Sequence, residues 1–129
     1  MDPSVFVVDD DPATCRLIQK LLTPHGYAVT TVADGEVALA SVAAQRPSLV
    51  IVDVLLPGLD GMTVMTRLRQ HNPGQPLIAI SASPTIPDLA GIPFLAKPFD
   101  LTTLLQLVES TVEWMIPTDD PNRWGVGRR

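Results

Sequence analysis

Val5-Phe6-Val7-Val8-Asp9-Asp10-Asp11-Pro12 decides the reading of this chain. Four apolar residues in an unbroken run, rather than an alternation, suit a strand buried on both faces of a parallel sheet. Asp11-Pro12 then opens a helix, with an acid to cap it and proline in the first turn. The acids Asp9 and Asp10 therefore stand at a strand-to-helix junction. Leu49-Val50-Ile51-Val52 ends in the same way on Asp53, and Leu77-Ile78-Ala79-Ile80 ends on Ser81. Ile92-Pro93-Phe94-Leu95-Ala96 leads to Lys97, and its proline, which cannot donate to a ladder, puts it at a sheet edge. Tyr27 to Val32 mixes in Thr30 and Thr31 and reads as a strand near the other edge.

Helical patterns fill the gaps. Leu17, Ile18, Leu21 and Leu22 form one apolar face, stopped at Pro24 and Gly26. Gly35 to Gln45 and Gly61 to His71 are two more helices, and a last one follows Asp100 with Leu101, Leu104, Leu105, Val108 and Val112. Alternating strand and helix predict right-handed βαβ units and a doubly wound α/β sheet. Ser81 to Ile92 is the exception, because Pro84, Pro87 and Gly91 leave room for one short helical turn at most. Gly58 and Gly61 read as turn formers, with Pro57 shaping the same turn. Residues 1–116 are expected to form one domain, and 117–129, rich in Pro, Gly, Asp and Asn, a flexible C-terminal tail or the start of a linker.

A chain of 129 residues is long enough for one buried core and too short for two. It has no apolar run of membrane-spanning length and no signal-peptide layout, so the expected location is the cytoplasm. A net charge of −5, with Arg123, Arg128 and Arg129 in the tail, argues against direct nucleic-acid binding. The lone Cys15 falls in a helical pattern and reads as a small buried residue.

In open α/β sheets the site lies beyond the carboxyl ends of the strands, so Asp9, Asp10, Asp53, Ser81 and Lys97 should converge there. Three carboxylates in a partly desolvated crevice repel one another, and a hard divalent cation such as Mg²⁺ relieves this through oxygen ligands and retained waters. A carboxylate beside such an ion is a competent nucleophile toward phosphorus. Lys97 would face the phosphoryl oxygens, and Ser81 would donate to one of them.

With Val7-Val8-Asp9-Asp10-Asp11-Pro12, Asp53-Val54-Leu55-Leu56-Pro57-Gly58-Leu59-Asp60-Gly61 and Lys97-Pro98-Phe99 in this order, the chain resembles the receiver domains of bacterial response regulators, the chemotaxis-type receivers of two-component signalling. The resemblance covers residues 4 to 115. It implies a flavodoxin-like five-stranded parallel sheet of order 2-1-3-4-5. It implies Asp53 as phosphoacceptor and Mg²⁺ held by Asp10 directly, by Asp9 mainly through water, by Asp53 and by the backbone carbonyl of Leu55. Ser81 and Lys97 would bind the phosphoryl group, and Phe94 takes the place of the aromatic switch, although a core aromatic fits that position equally well. The implied donor is a sensor histidine kinase or phosphotransfer protein, and the implied output is a changed protein-binding surface. The chain is expected to be a switch rather than an enzyme, apart from catalysing its own phosphorylation and dephosphorylation.

Between Ser81 and Lys97 the chain is shorter than the family pattern by roughly six residues, about a turn and a half of helix. The fourth helix is therefore expected to be short or absent, and dimerisation through that face is not expected. Two other classes compete. A Mg²⁺-dependent phosphatase with an aspartyl nucleophile needs a second acid two positions on, where this chain has Leu55. A receiver-shaped scaffold that is never phosphorylated would not need the acids, the hydroxyl and the lysine together.

Overall fold

The computed structural model describes residues 2–83, 89 and 91–115, with side chains as far as residue 112. The strands are β1 (Ser4–Val8), β2 (Ala28–Val32), β3 (Leu49–Asp53), β4 (Leu77–Ser81) and β5 (Phe94–Ala96). The helices are α1 (Pro12–Leu22), α2 (Gly35–Gln45), α3 (Gly61–His71) and α4 (Leu101–Met115), with a 3₁₀ turn at Thr23–His25. All strands are parallel, in the order β2-β1-β3-β4-β5, which is the doubly wound flavodoxin-like sheet expected.

The continuous apolar runs follow from this architecture. In β1, Phe6 and Val8 join a cluster with Val50 and Val52 of β3 and with α2 and α3, while Val5 and Val7 face α1 and α4. Successive residues point to opposite faces, and both faces are covered, so every position of β3 and β4, and of β1 after Ser4, is buried. β2 lies at one edge and is mostly exposed, which is why it tolerates Thr30 and Thr31. β5 is two residues shorter than its apolar run. Ile92 bonds back to Leu89 in a turn, and Pro93 contributes only its carbonyl, which accepts from Ala79 N at 2.8 Å.

Short acids start the helices. Asp11 Oδ1 accepts from Ala13 N (3.1 Å), Asp34 Oδ1 from Glu36 N (2.8 Å) and Asp60 Oδ1 from Thr63 N (2.9 Å). Each satisfies a donor that the helix leaves free. α2 stops on Arg46, held in the left-handed region at φ 49°. The expected shortening of the fourth helix falls on residues 84–88 and 90, outside the described residues, as does the expected tail at 117–129. Among the described residues, no helix is long and apolar enough to cross a membrane.

Candidate functional site

Register brings the strand ends together. Asp53 pairs with Ile80, and Ser81 pairs with Ala96. The ladder continues past the strands, with Val54 N donating to Ile80 O and Lys97 N to Ser81 O, both at 2.8 Å. Asp9 is fixed beside them by its N–H on Val32 O at 3.0 Å. Lys97, 44 residues along the chain from Asp53, thus arrives with its ammonium 2.9 Å from Asp53 Oδ2 and 2.7 Å from Asp9 Oδ2.

The acids sit in different surroundings. Asp9 and Asp53 are 1% and 5% exposed, whereas Asp10 is open to solvent. Asp9 Oδ1 accepts from Asp11 N at 2.9 Å, and Asp53 Oδ1 from Leu55 N at 2.8 Å. Asp9 Oδ2 is buried, and its one partner among the described residues is the Lys97 ammonium, which it shares with Asp53 Oδ2. Burial raises the Asp9 carboxyl above the usual carboxylate range, and the Asp53 charge adds to this against the opposing pull of Lys97 and the Asp11 N–H. Burial pulls Lys97 down, but the hydrogen bonds and charges of Asp9 and Asp53 outweigh it and hold the ammonium above its ordinary value. One firmly protonated lysine thus serves two buried acids. With both acids ionised, the crevice is short of positive charge by one unit before Asp10 is counted.

Oxygens of Asp9, Asp10 and Asp53 all lie within 4.8 Å of one another. A buried carboxylate oxygen with only a shared lysine for a partner, two further acids and an open side suit a hard, oxygen-seeking divalent cation that retains water. Leu55 places its N–H on Asp53 and leaves its side chain 57% exposed. The second position after Asp53 therefore holds nothing that moves a proton, as a phosphatase of the class considered would need.

Ser81 is 2% exposed, and its Oγ accepts from Ser83 N at 3.0 Å. That bond uses the oxygen and leaves the hydroxyl proton free. Phe94 is half-buried at the start of β5 and packs against the cluster on the α2–α3 face.

Three supporting residues have roles the sequence reading did not assign. Asp11 supplies the N–H on Asp9, and Cys15 donates its thiol to the Asp9 carbonyl at 3.3 Å. Cys15 lies on the inner face of α1, one turn after the cap, which its spacing from Asp11 already implied. Gly61 is not a turn former but the first residue of α3, pressed against β3. A Cβ there would strike Asp53 O and lie 2.7 Å from Val54 Cα. Only the folded chain reveals that closeness.

Residues 5–109 match the family described as response regulator receiver domain. The probable transcriptional regulatory protein TcrX of Mycobacterium tuberculosis is 36% identical over 104 residues, covering 76% of this chain and 44% of TcrX. The chain thus spans under half of that relative's length. The receiver domain of the sensor histidine kinase PA1611 of Pseudomonas aeruginosa superposes with a TM-score of 0.79 at 31% identity, over 87% of this chain and 98% of that one. Its structure holds a magnesium ion in the active-site cleft. A putative response regulator of Chloroflexus aurantiacus superposes at 0.78 with 32% identity, over 87% and 98% of the two chains. Sheet order, acidic strand ends and sequence agree, and the chain belongs to the response regulator receiver domain family.

Proposed function

We propose that Asp53 is the phosphoacceptor of this receiver, with a histidine kinase or phosphotransfer protein as donor. Receivers of this family are phosphorylated by histidine kinases. The observation that carries the assignment to Asp53 is the Lys97 ammonium, 2.9 Å from Asp53 Oδ2, in a crevice that still lacks positive charge. Asp53 attacks phosphorus through a carboxylate oxygen. The new P–O bond forms as the P–N bond to the donor histidine breaks, and the electron pair leaves with the imidazole. Lys97, bonded to the attacking carboxylate, lies where charge gathers on the phosphoryl oxygens. The free proton of Ser81 donates to one of those oxygens.

Asp9, Asp10, Asp53 and the Leu55 carbonyl would hold Mg²⁺, which when bound supplies the missing positive charge. The backbone N–H of Asp11 keeps the Asp9 carboxylate aimed into the crevice. Phe94, on the strand next to that of Ser81 and in register with Ala79, is assigned the aromatic switch position. Residues 1–116 act as the receiver, working in the cytoplasm on a protein target. Residues 117–129 lead on from it as a tail or linker.

The test is intact-protein mass after incubation with acetyl phosphate, with and without Mg²⁺, alongside Asp53→Asn. The expected result is a Mg²⁺-dependent gain of one phosphoryl group that Asp53→Asn abolishes; this would also establish that the chain catalyses its own modification. A wild type that binds Mg²⁺ and gains nothing would leave the unphosphorylated scaffold as the better reading.

A further inference from the structure

At the opposite end of the sheet from Asp53, the C-terminal halves of α2 and α3 enclose a cavity of about 480 Å³. That is the size of a pocket for a small organic molecule, roughly 300–1,000 Å³. Its inner wall is apolar, built from Leu39, Val42 and Leu68. Its mouth carries Arg46, Arg67 and His71, and no carboxylate lines it. In a chain of net charge −5 this is a local reversal of sign.

Helix C-termini favour cations in any protein, which accounts for basic residues in the last turn of α3. It does not account for their state. Arg69 lies nearby but off the cavity, and its Nε donates to Gln75 O at 2.8 Å. Both ion pairs among the described residues belong to Lys97, so Arg46, Arg67 and His71 hold no acid among the described residues. Gln75, 3% exposed, also lines the cavity, with its amide nitrogen held by Pro76 O at 3.1 Å. Its amide oxygen accepts from no described residue and is left to offer an acceptor. Apolar wall, basic mouth and amide acceptor specify three parts of one ligand.

We propose that this cavity binds a small carboxylate anion with an apolar body and a hydrogen-bond donor, such as an N-acylated apolar amino acid. The carboxylate meets Arg46 and Arg67, the apolar body lies on Leu39, Val42 and Leu68, and the donor faces Gln75. The site is independent of the phosphoryl chemistry, and neither reading depends on the other.

N-acetyl-phenylalanine carries all three parts and is the probe. Titrated into the ¹⁵N-labelled protein, it is expected to give saturable amide shifts confined to residues 39–46 and 67–75, with a Kd on the order of a millimolar for its size. N-acetyl-phenylalanine amide, which lacks the charge, and sodium acetate, which lacks the body, should each bind at least about tenfold more weakly. Arg67→Gln should cost the probe a similar factor while the remaining amide spectrum stays in place. Should that variant not fold, Arg46→Asn, which suits the left-handed backbone at 46, replaces it. Absence of saturable shifts, shifts outside these residues, or equal binding of the amide or acetate would overturn the proposal.

Discussion

Replacing Gly61 by alanine tests how Asp53 is held. The added Cβ would lie 2.7 Å from Val54 Cα and 2.8 Å from Asp53 C, and would collide with Asp53 O. An unstrained carbon–carbon contact needs ~3.5 Å, so α3 and β3 must part by roughly 1 Å. The atoms met are backbone, in a strand paired on both sides, so no side chain can rotate away. Overpacking of this kind costs about 1–3 kcal/mol. Alanine returns at most about 1 kcal/mol of helix propensity, and less at the first helical position than in mid-helix. A net loss of roughly 0.5–2.5 kcal/mol lowers the melting temperature by several degrees in a domain of this size. Gly58→Ala meets nothing within 4 Å but forces alanine to φ +71°, so it should lose about 1 kcal/mol. Gly74→Ala meets only Asn72 Oδ1 at 3.7 Å and should be near neutral. Thermal unfolding of the three variants, with acetyl phosphate labelling of each, gives the comparison. Gly61→Ala melting with Gly74→Ala, or labelling as fast as the wild type, would refute the claim that this contact sets the position of Asp53.

Other changes test other parts of the account. Lys97→Met keeps the stem and removes the cation from two buried acids, so stability in metal-free buffer should fall by about 1–3 kcal/mol, a range reduced because Lys97 is partly exposed. Mg²⁺ should restore part of that loss in a denaturant titration, and no recovery would count against the crevice as a cation site. Arg46→Gly relieves a side chain held at φ 49° and should stabilise the fold by about 1 kcal/mol, read as a raised melting temperature. Cys15 is 9% exposed, and burial, with the nearby Asp9 and Asp11 charges, pushes its thiol up. Less thiolate at neutral pH means that iodoacetamide should label it far more slowly in the native than in the urea-unfolded protein, and equal rates would contradict this.

The strands were legible because a parallel sheet covered on both faces demands unbroken apolar runs, and β1, β3 and β4 have them. The edges were less so. The run from Ile92 to Ala96 yields a strand only from Phe94, since Ile92 turns back on Leu89 and Pro93 has no N–H to give. The site residues could be placed at strand ends, but sequence could not show that Lys97 reaches both Asp9 and Asp53, or that one buried oxygen of Asp9 has only that shared lysine for a partner. Those facts depend on register across β1, β3, β4 and β5. The role of Gly61 was hidden for a similar reason, as a close helix–strand approach leaves no local signature. The end of α2 was readable in principle: Pro47 disfavours right-handed helix at Arg46, which takes the left-handed form instead. The cavity between α2 and α3 was invisible, because Arg46, Arg67 and His71 are scattered in sequence and meet only at the helix ends.

The central claim is that Asp53, and neither of its acidic neighbours, carries the phosphoryl group. The most direct measurement is borohydride reduction of the acetyl phosphate-treated protein, which converts an aspartyl phosphate to homoserine, followed by peptide sequencing by mass spectrometry. The account predicts homoserine at position 53 alone, and only when Mg²⁺ was present. Homoserine at position 9 or 10, or at 53 irrespective of Mg²⁺, would contradict it.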